Sequence, residues 1–158
     1  MNGRLIQPIS LCFVVHLNQV LLLERSPEKK VYPSKWDGIG GKVEPGETPL
    51  AACIREVKEE ANIQVCNPIV RGIFTVLDQH HQSEWIMFVF RATEFSGVPP
   101  DKSKDGKLKW IPISDVGSLD AVPDLKLYID ALLSQDENVI FGHFDYDEKG
   151  NLYNYVLS

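Results

Sequence analysis

Apolar positions along the chain fall into short runs separated by polar breaks. ISLCFVVHL (residues 9–17) and VLLLER (20–25) flank the short polar break Asn18-Gln19, the pattern of a buried hairpin. SPEKKVYPSKWDGIGG (26–41) holds Pro27, Pro33, Gly38, Gly40 and Gly41 and reads as mostly loop. A helix is expected to open at Thr48-Pro49, with Thr48 as N-cap and Pro49 in the first helical position. IVRGIFTVL (69–77) and EWIMFVFRATEF (84–95) read as strands paired across a polar connection. SGVPPDKSKDGK (96–107) reads as loop and LKWIPI (108–113) as a short strand. Leu125, Ile129, Leu132 and Leu133 recur at helical spacing. VIFGHFDYDEKGNLYNYVL (139–157) reads as a closing hairpin turning at Lys149-Gly150-Asn151.

Strands and helices mix here without a regular βαβ alternation. The expected class is therefore α+β, a central mixed sheet with helices packed on it. No repeat, low-complexity tract or second linker interrupts the pattern, and residues 1–158 read as one domain.

Composition narrows the function. A net charge of −6 argues against a nucleic-acid partner, which would want a basic footprint. It leaves room for a phosphate ligand, because a metal can supply positive charge locally. Cys12, Cys53 and Cys66 match neither a zinc spacing nor a disulfide framework, so free thiols in a reducing cytoplasm are expected. The apolar run Leu11 to Val15 is too short for a signal core or a membrane span. A cytoplasmic protein with no membrane partner is the expectation.

On the helix beginning at Pro49, Leu50, Ile54, Val57 and Ala61 form the expected buried stripe. Glu56, Glu59 and Glu60 fall together on another face. Like charges this close repel. Either the face is solvated, or a hard divalent cation such as Mg²⁺ sits on it. The glycines Gly40, Gly41 and Gly46 just before the helix let backbone approach a ligand closely, and Arg55 can pair with Glu47.

The stretch resembles the Nudix box: Gly41, Glu47, Arg55-Glu56, Val57, Glu59-Glu60 and Ile63 stand at the spacing of that motif. One position departs, Asn62 replacing the glycine that ends the box helix; Asn tolerates the left-handed conformation required there. The resemblance implies a Nudix fold, an α/β/α sandwich around a mixed sheet. It implies a Mg²⁺-dependent hydrolase, with Mn²⁺ as a substitute, acting on a nucleoside diphosphate linked to another group. It implies that Glu56 and Glu60 hold metal, with Glu59 as a further ligand or general base. It also implies that a carbonyl near Gly40 and Gly41 is a ligand and that Arg55 orients Glu47.

Beyond the box, KWDGIGGKVEPGET is similar to MutT-type 8-oxo-dGTP diphosphatases. In that group an acid five residues before a Trp, usually Glu, serves as an extra metal ligand or base; here it is Asp105 before Trp110. A Pro-Asp pair before the last helix reads the base in the human oxidised-purine enzyme; here it is Pro123-Asp124, with Leu125 in place of a second Asp. Asp124 could instead cap that helix. Arg25 would touch phosphate or form a surface salt bridge, Asp37 would contact the base or serve a turn, and Lys42 would meet phosphate or cover a strand. Phe74 and Trp85 would stack on a purine or belong to the core. His80-His81 are expected in a solvent-exposed loop, and Asp115 and Asp120 as turn and cap residues.

The resemblance thus implies a pyrophosphohydrolase of oxidised purine nucleoside triphosphates. An ADP-ribose or dinucleoside polyphosphate hydrolase is the enzymatic alternative. A non-catalytic nucleotide sensor is the alternative from another class, disfavoured because every acid of the box is present.

Overall fold

The computed structural model describes residues 3–158. β1 (Gln7–His16) and β2 (Gln19–Arg25) form the expected hairpin. Its turn is Leu17-Asn18 rather than Asn18-Gln19, because His16 pairs with Gln19. Both turn residues take positive φ, 49° and 60°, as the twist of a two-residue hairpin demands. Leu17 accepts that strain and stays exposed.

The glycine-rich stretch is not all loop. β3 (Trp36–Asp37) pairs with β2, and β4 (Ile39–Lys42) pairs with β1. These strands are too short to show alternation. Gly40 makes the second pairing possible, since a Cβ there would meet the Ser10 carbonyl at 1.9 Å.

α1 (Pro49–Ala61) begins as expected. Thr48 accepts a hydrogen bond from the Ala51 amide at 3.1 Å, Pro49 opens the helix, and Asn62 closes it in the left-handed conformation, φ 53°. The buried stripe needs correction. Cys53, Val57 and Ala61 meet the sheet together with Ala52 and Glu60. Ile54 is partly buried. Leu50 shares the arc but stands in the first turn, ahead of the residues that pack, and is 44% exposed.

β5 (Gln64–Cys66) and β8 (Glu94–Ser96) form a separate small sheet, so the expected strand 84–95 is divided. β6 (Ile69–Asp78) and β7 (Ser83–Ala92) are antiparallel. β9 (Lys102–Ser103) and β10 (Gly106–Pro112) make a hairpin against β2. A short 3₁₀ helix (Ile113–Ser118) leads on to α2 (Leu125–Leu133). β11 (Ile140–Tyr146) and β12 (Leu152–Leu157) form the closing hairpin, which turns through Gly150 at φ 80°.

The main sheet runs β12-β11-β6-β7-β1-β2-β10-β9, with β3 and β4 attached to β2 and β1. It is mixed: β1–β7 and β11–β6 are parallel, the other pairings antiparallel. Alternate side chains divide between two cores, as the two-residue period of strands requires. Leu11, Phe13, Val20 and Leu22 face α2, while Cys12, Val14, Leu21 and Leu23 face α1. The result is the expected α/β/α sandwich. Buried Arg71 of β6 donates to the carbonyls of Ala131 and Leu132 at 2.9 and 3.0 Å, closing the C-terminal end of α2.

Candidate active site

The acidic face of α1 is internally organised. The Arg55 guanidinium grips Glu47 at 2.8 and 3.0 Å, Glu56 Oε1 at 2.8 Å, Glu59 Oε2 at 3.3 Å and the Lys42 carbonyl at 3.0 Å. This fork ties the loop before α1 to the helix. Glu47 also accepts from the Glu44 amide at 3.0 Å. The Arg55 contacts, chiefly, hold its carboxyl below the usual range.

The three glutamates differ in setting. The Glu59 side chain is half exposed, whereas that of Glu56 is mostly buried. Glu60 is buried in the stripe that packs on the sheet, and its Oε2 has no hydrogen-bond partner. Burial, then the charges of Asp105 and Glu56, pushes its carboxyl up to about 9. Asp105, in the turn between β9 and β10, is therefore beside Glu60 despite its short side chain. Its Oδ1 accepts from Lys29 Nζ at 2.6 Å.

Among the described residues no three acidic, His or Cys side chains form a ready coordination cage. The donor set still suits a hard cation. Glu60 presents an orphaned buried oxygen, which a cation would satisfy. Glu56 and Asp105 stand close enough to disturb it, each now neutralised by Arg55 or Lys29. A Cβ at Gly41 would meet Glu56 Oε1 at 2.6 Å, so glycine keeps that carboxylate's space open.

A cavity of about 470 Å³ opens beside Glu60, and Glu56 and Glu59 line an adjoining crevice that shares Glu60, Asp105, Gly40 and Gly41 with it. Glu60, Asp105, Gly40 and Gly41 line one part of it, and Asp37, Asp124, Tyr32, Tyr146, Trp85 and Met87 another. Asp124 is no helix cap: its backbone is helical and its side chain makes no capping bond. Its Oδ1 instead accepts from Tyr146 Oη at 2.6 Å. Burial raises its carboxyl, and the Tyr146 hydrogen bond partly opposes this. Asp37 lies in β3 rather than in a turn and accepts from the Gly38 amide at 2.8 Å. Burial first, then the charge of Asp124, pushes it to about 7.

The other candidates separate cleanly. Arg25 lines the cavity, donates to the Val31 carbonyl at 2.9 Å and makes no ion pair among the described residues. Lys42 stands exposed at the cavity edge. Trp85 is half-buried on the cavity wall, whereas Phe74 is wholly core, 4.7 Å from the Tyr128 ring. His80 is exposed, but His81 turns inward to Asp78 at 2.7 Å and lines the cavity. Asp115 lies in the 3₁₀ helix, and Asp120 pairs with Lys35 instead of capping. Tyr32 and Tyr146 escaped the sequence reading. An unusual left-handed backbone at Tyr32, φ 47°, has no signature in VYPSK.

Residues 7–132 match the NUDIX domain. The chain belongs to the Nudix family. The Nudix hydrolase YvcI of Bacillus subtilis is 32% identical over 155 residues, covering 96% of this chain and 94% of that protein. The crystal structure of a mutator MutT protein from Bacillus halodurans superposes with a TM-score of 0.85 at 34% identity, over 97% of this chain and 98% of that one. Other Nudix relatives differ in what their names say they act on. Mouse diphosphoinositol polyphosphate phosphohydrolase 2 is 33% identical over 106 residues, 66% of this chain and 56% of its own. Mouse oxidized purine nucleoside triphosphate hydrolase is 25% identical over 123 residues, 78% and 77%. Nudix hydrolases generally work with divalent metals such as Mg²⁺, in keeping with the oxygen donors found here. No helix among the described residues is long and apolar enough to cross a membrane.

Proposed function

We propose that this Nudix hydrolase cleaves purine nucleoside triphosphates, oxidised ones such as 8-oxo-dGTP included, to the monophosphate and pyrophosphate. One observation carries the reading: a single cavity has buried acids and aromatic rings among its walls together with Glu60 and Asp105, and the crevice holding Glu56 and Glu59 shares those two acids with it. A purine edge presents N–H donors and ring acceptors. A buried carboxyl accepts from the former when ionised and donates to the latter when protonated. Asp37, poised near neutrality, and Asp124, held by Tyr146, supply such groups. Trp85 offers a face for stacking. The same two acids oppose a densely phosphorylated inositol, which would want cations there.

Glu56, Glu60 and Asp105, with a carbonyl of Gly40 or Gly41, would hold the metal. When bound, Mg²⁺ would neutralise the pyrophosphate and lower the pKa of the attacking water. Arg55 positions Glu56 and braces Glu47. Glu59, half exposed and held only by a 3.3 Å contact, is the carboxylate free to accept the water's proton. Arg25 and Lys42 lie at the cavity to meet phosphate oxygens. The test is a panel of canonical and oxidised purine triphosphates, ADP-ribose, diadenosine tetraphosphate and a diphosphoinositol polyphosphate, assayed with Mg²⁺. Pyrophosphate release, highest from a purine triphosphate, is expected; preferred turnover of any of the other three compounds would refute the proposal.

A further inference from the structure

Beside the catalytic cavity lies a smaller one, of about 210 Å³, between the end of β2 and the β9–β10 hairpin. Its charge is opposite to that of the protein as a whole. Arg25, Lys102, Lys104 and Lys107 line it against one carboxylate, Glu24, in a chain of net charge −6. Lys107 is the direct partner of Lys102 in the β9–β10 register and of Glu24 in the β10–β2 register, so one acid stands opposite it while Lys102 meets a like charge, which destabilises a strand pair. None of the three lysines forms an ion pair among the described residues. The neighbouring acid Asp105 is already taken by Lys29.

Hydrogen-bond donors accompany the charge. Arg25 commits its Nε to the Val31 carbonyl, which leaves the terminal guanidinium nitrogens available. Ser26 and Ser103, also in the lining, accept from the amides of Glu28 and Asp105, so both hydroxyl hydrogens are available to donate. Guanidinium, ammonium and hydroxyl donors around a small cavity are the chemistry of phosphate recognition.

The position selects the phosphate. Arg25 lines both this cavity and the catalytic one, and Lys104 lines both this cavity and the crevice that holds Glu56, Glu59 and Glu60. Asp37 and Asp124 line only the catalytic cavity. The basic cavity thus continues the carboxylate end, away from the base end.

We propose that this cavity is a subsite for the distal phosphates of the bound nucleotide, those beyond the bond that is cut. The inference rests on the nucleotide-hydrolase reading above. It makes the enzyme selective for the number of phosphates as well as for the base, with Lys102, Lys104 and Lys107 as the specificity-determining residues.

The test is the triple variant Lys102→Gln, Lys104→Gln and Lys107→Gln, all exposed positions. Calorimetric titration with inorganic tripolyphosphate at low salt should show binding to the wild type and about tenfold weaker binding to the variant. With Mg²⁺, the ratio of kcat/KM for a purine triphosphate over its diphosphate should fall about tenfold, mainly through KM of the triphosphate. Equal tripolyphosphate affinity in the two proteins would overturn the subsite and leave the lysines as guards of an edge strand. Weaker tripolyphosphate binding with an unchanged ratio would also overturn it, marking a site for a separate anion. Absence of wild-type turnover on every nucleotide would instead refute the parent reading, which the wild-type assay alone reveals.

Discussion

Tyr146 Oη donates to Asp124 Oδ1 at 2.6 Å, joining the closing hairpin to the start of α2 on the wall of the cavity. The same hydroxyl accepts from the Asp124 amide at 3.2 Å, so one phenol serves two buried groups. Tyr146→Phe should lower stability by about 1–3 kcal/mol, the range for leaving a buried polar group unsatisfied. Denaturant titration checks this. A midpoint unchanged from wild type would mean that water or a neighbour replaces the phenol.

Asp37 gives the protein a distinct pH signature. Its folded pKa, about 7, lies well above the ordinary aspartate value of 3.8. The folded state therefore holds a proton that the unfolded chain has lost between these values. The resulting stabilisation is complete below about pH 4 and declines as pH rises to 7, by at most ~1.4 kcal/mol per pH unit. Asp37→Asn should lessen that decline, the remainder coming from Glu60 and Asp124, whose carboxyls are raised as well. Asp124, Arg25 and the Gly38 amide act on the same carboxyl, so the comparison is best made in a single-site variant.

Gly40 and Gly41 should differ in their response to a methyl group. A Cβ at Gly40 would strike the Ser10 carbonyl at 1.9 Å, whereas the nearest atoms to one at Gly41 belong to the end of the Glu56 side chain. Gly40→Ala should compromise folding. Gly41→Ala should fold, keep its circular dichroism spectrum, and lose activity at least tenfold, because Glu56 is displaced from a site where small misplacements matter.

Glu60→Gln tests the metal face by a readout other than turnover. Wild-type protein should melt at higher temperature when Mg²⁺ is added, as a ligand that binds the folded state requires. The variant should gain much less. Its stability without metal should match or exceed that of wild type, since a buried carboxyl with an unpartnered oxygen is replaced by a neutral amide. An equal Mg²⁺-induced shift in the two proteins would remove Glu60 from the ligand set.

Local rules made much of this legible. Thr48, Pro49 and Asn62 mark the ends of α1 because capping is decided by neighbouring residues. The main hairpins and the mixed sheet followed from apolar runs and their breaks. Glu60 was harder: its carboxylate belongs with Glu56 and Glu59 by spacing, yet the sheet buries it. The pairing of β3 and β4 was hidden because two and four residues are too few for a period. Tyr146 and Asp124 lie 22 residues apart, and only the folded sheet brings the hairpin onto the helix start. His81 was misplaced for a similar reason, since its polar loop folds back toward Asp78.

The proposed base recognition in the cavity that Glu60 also lines is tested most directly with Asp124→Asn. The amide can keep the Tyr146 contact but cannot ionise. The measurement is the ratio of kcat/KM for 8-oxo-dGTP over dATP, taken for wild type and variant at one Mg²⁺ concentration. A ratio shifted about tenfold or more is expected, equivalent to one altered buried hydrogen bond, with the melting temperature nearly unchanged. An unchanged ratio would show that Asp124 does not read the base and that the purine binds elsewhere.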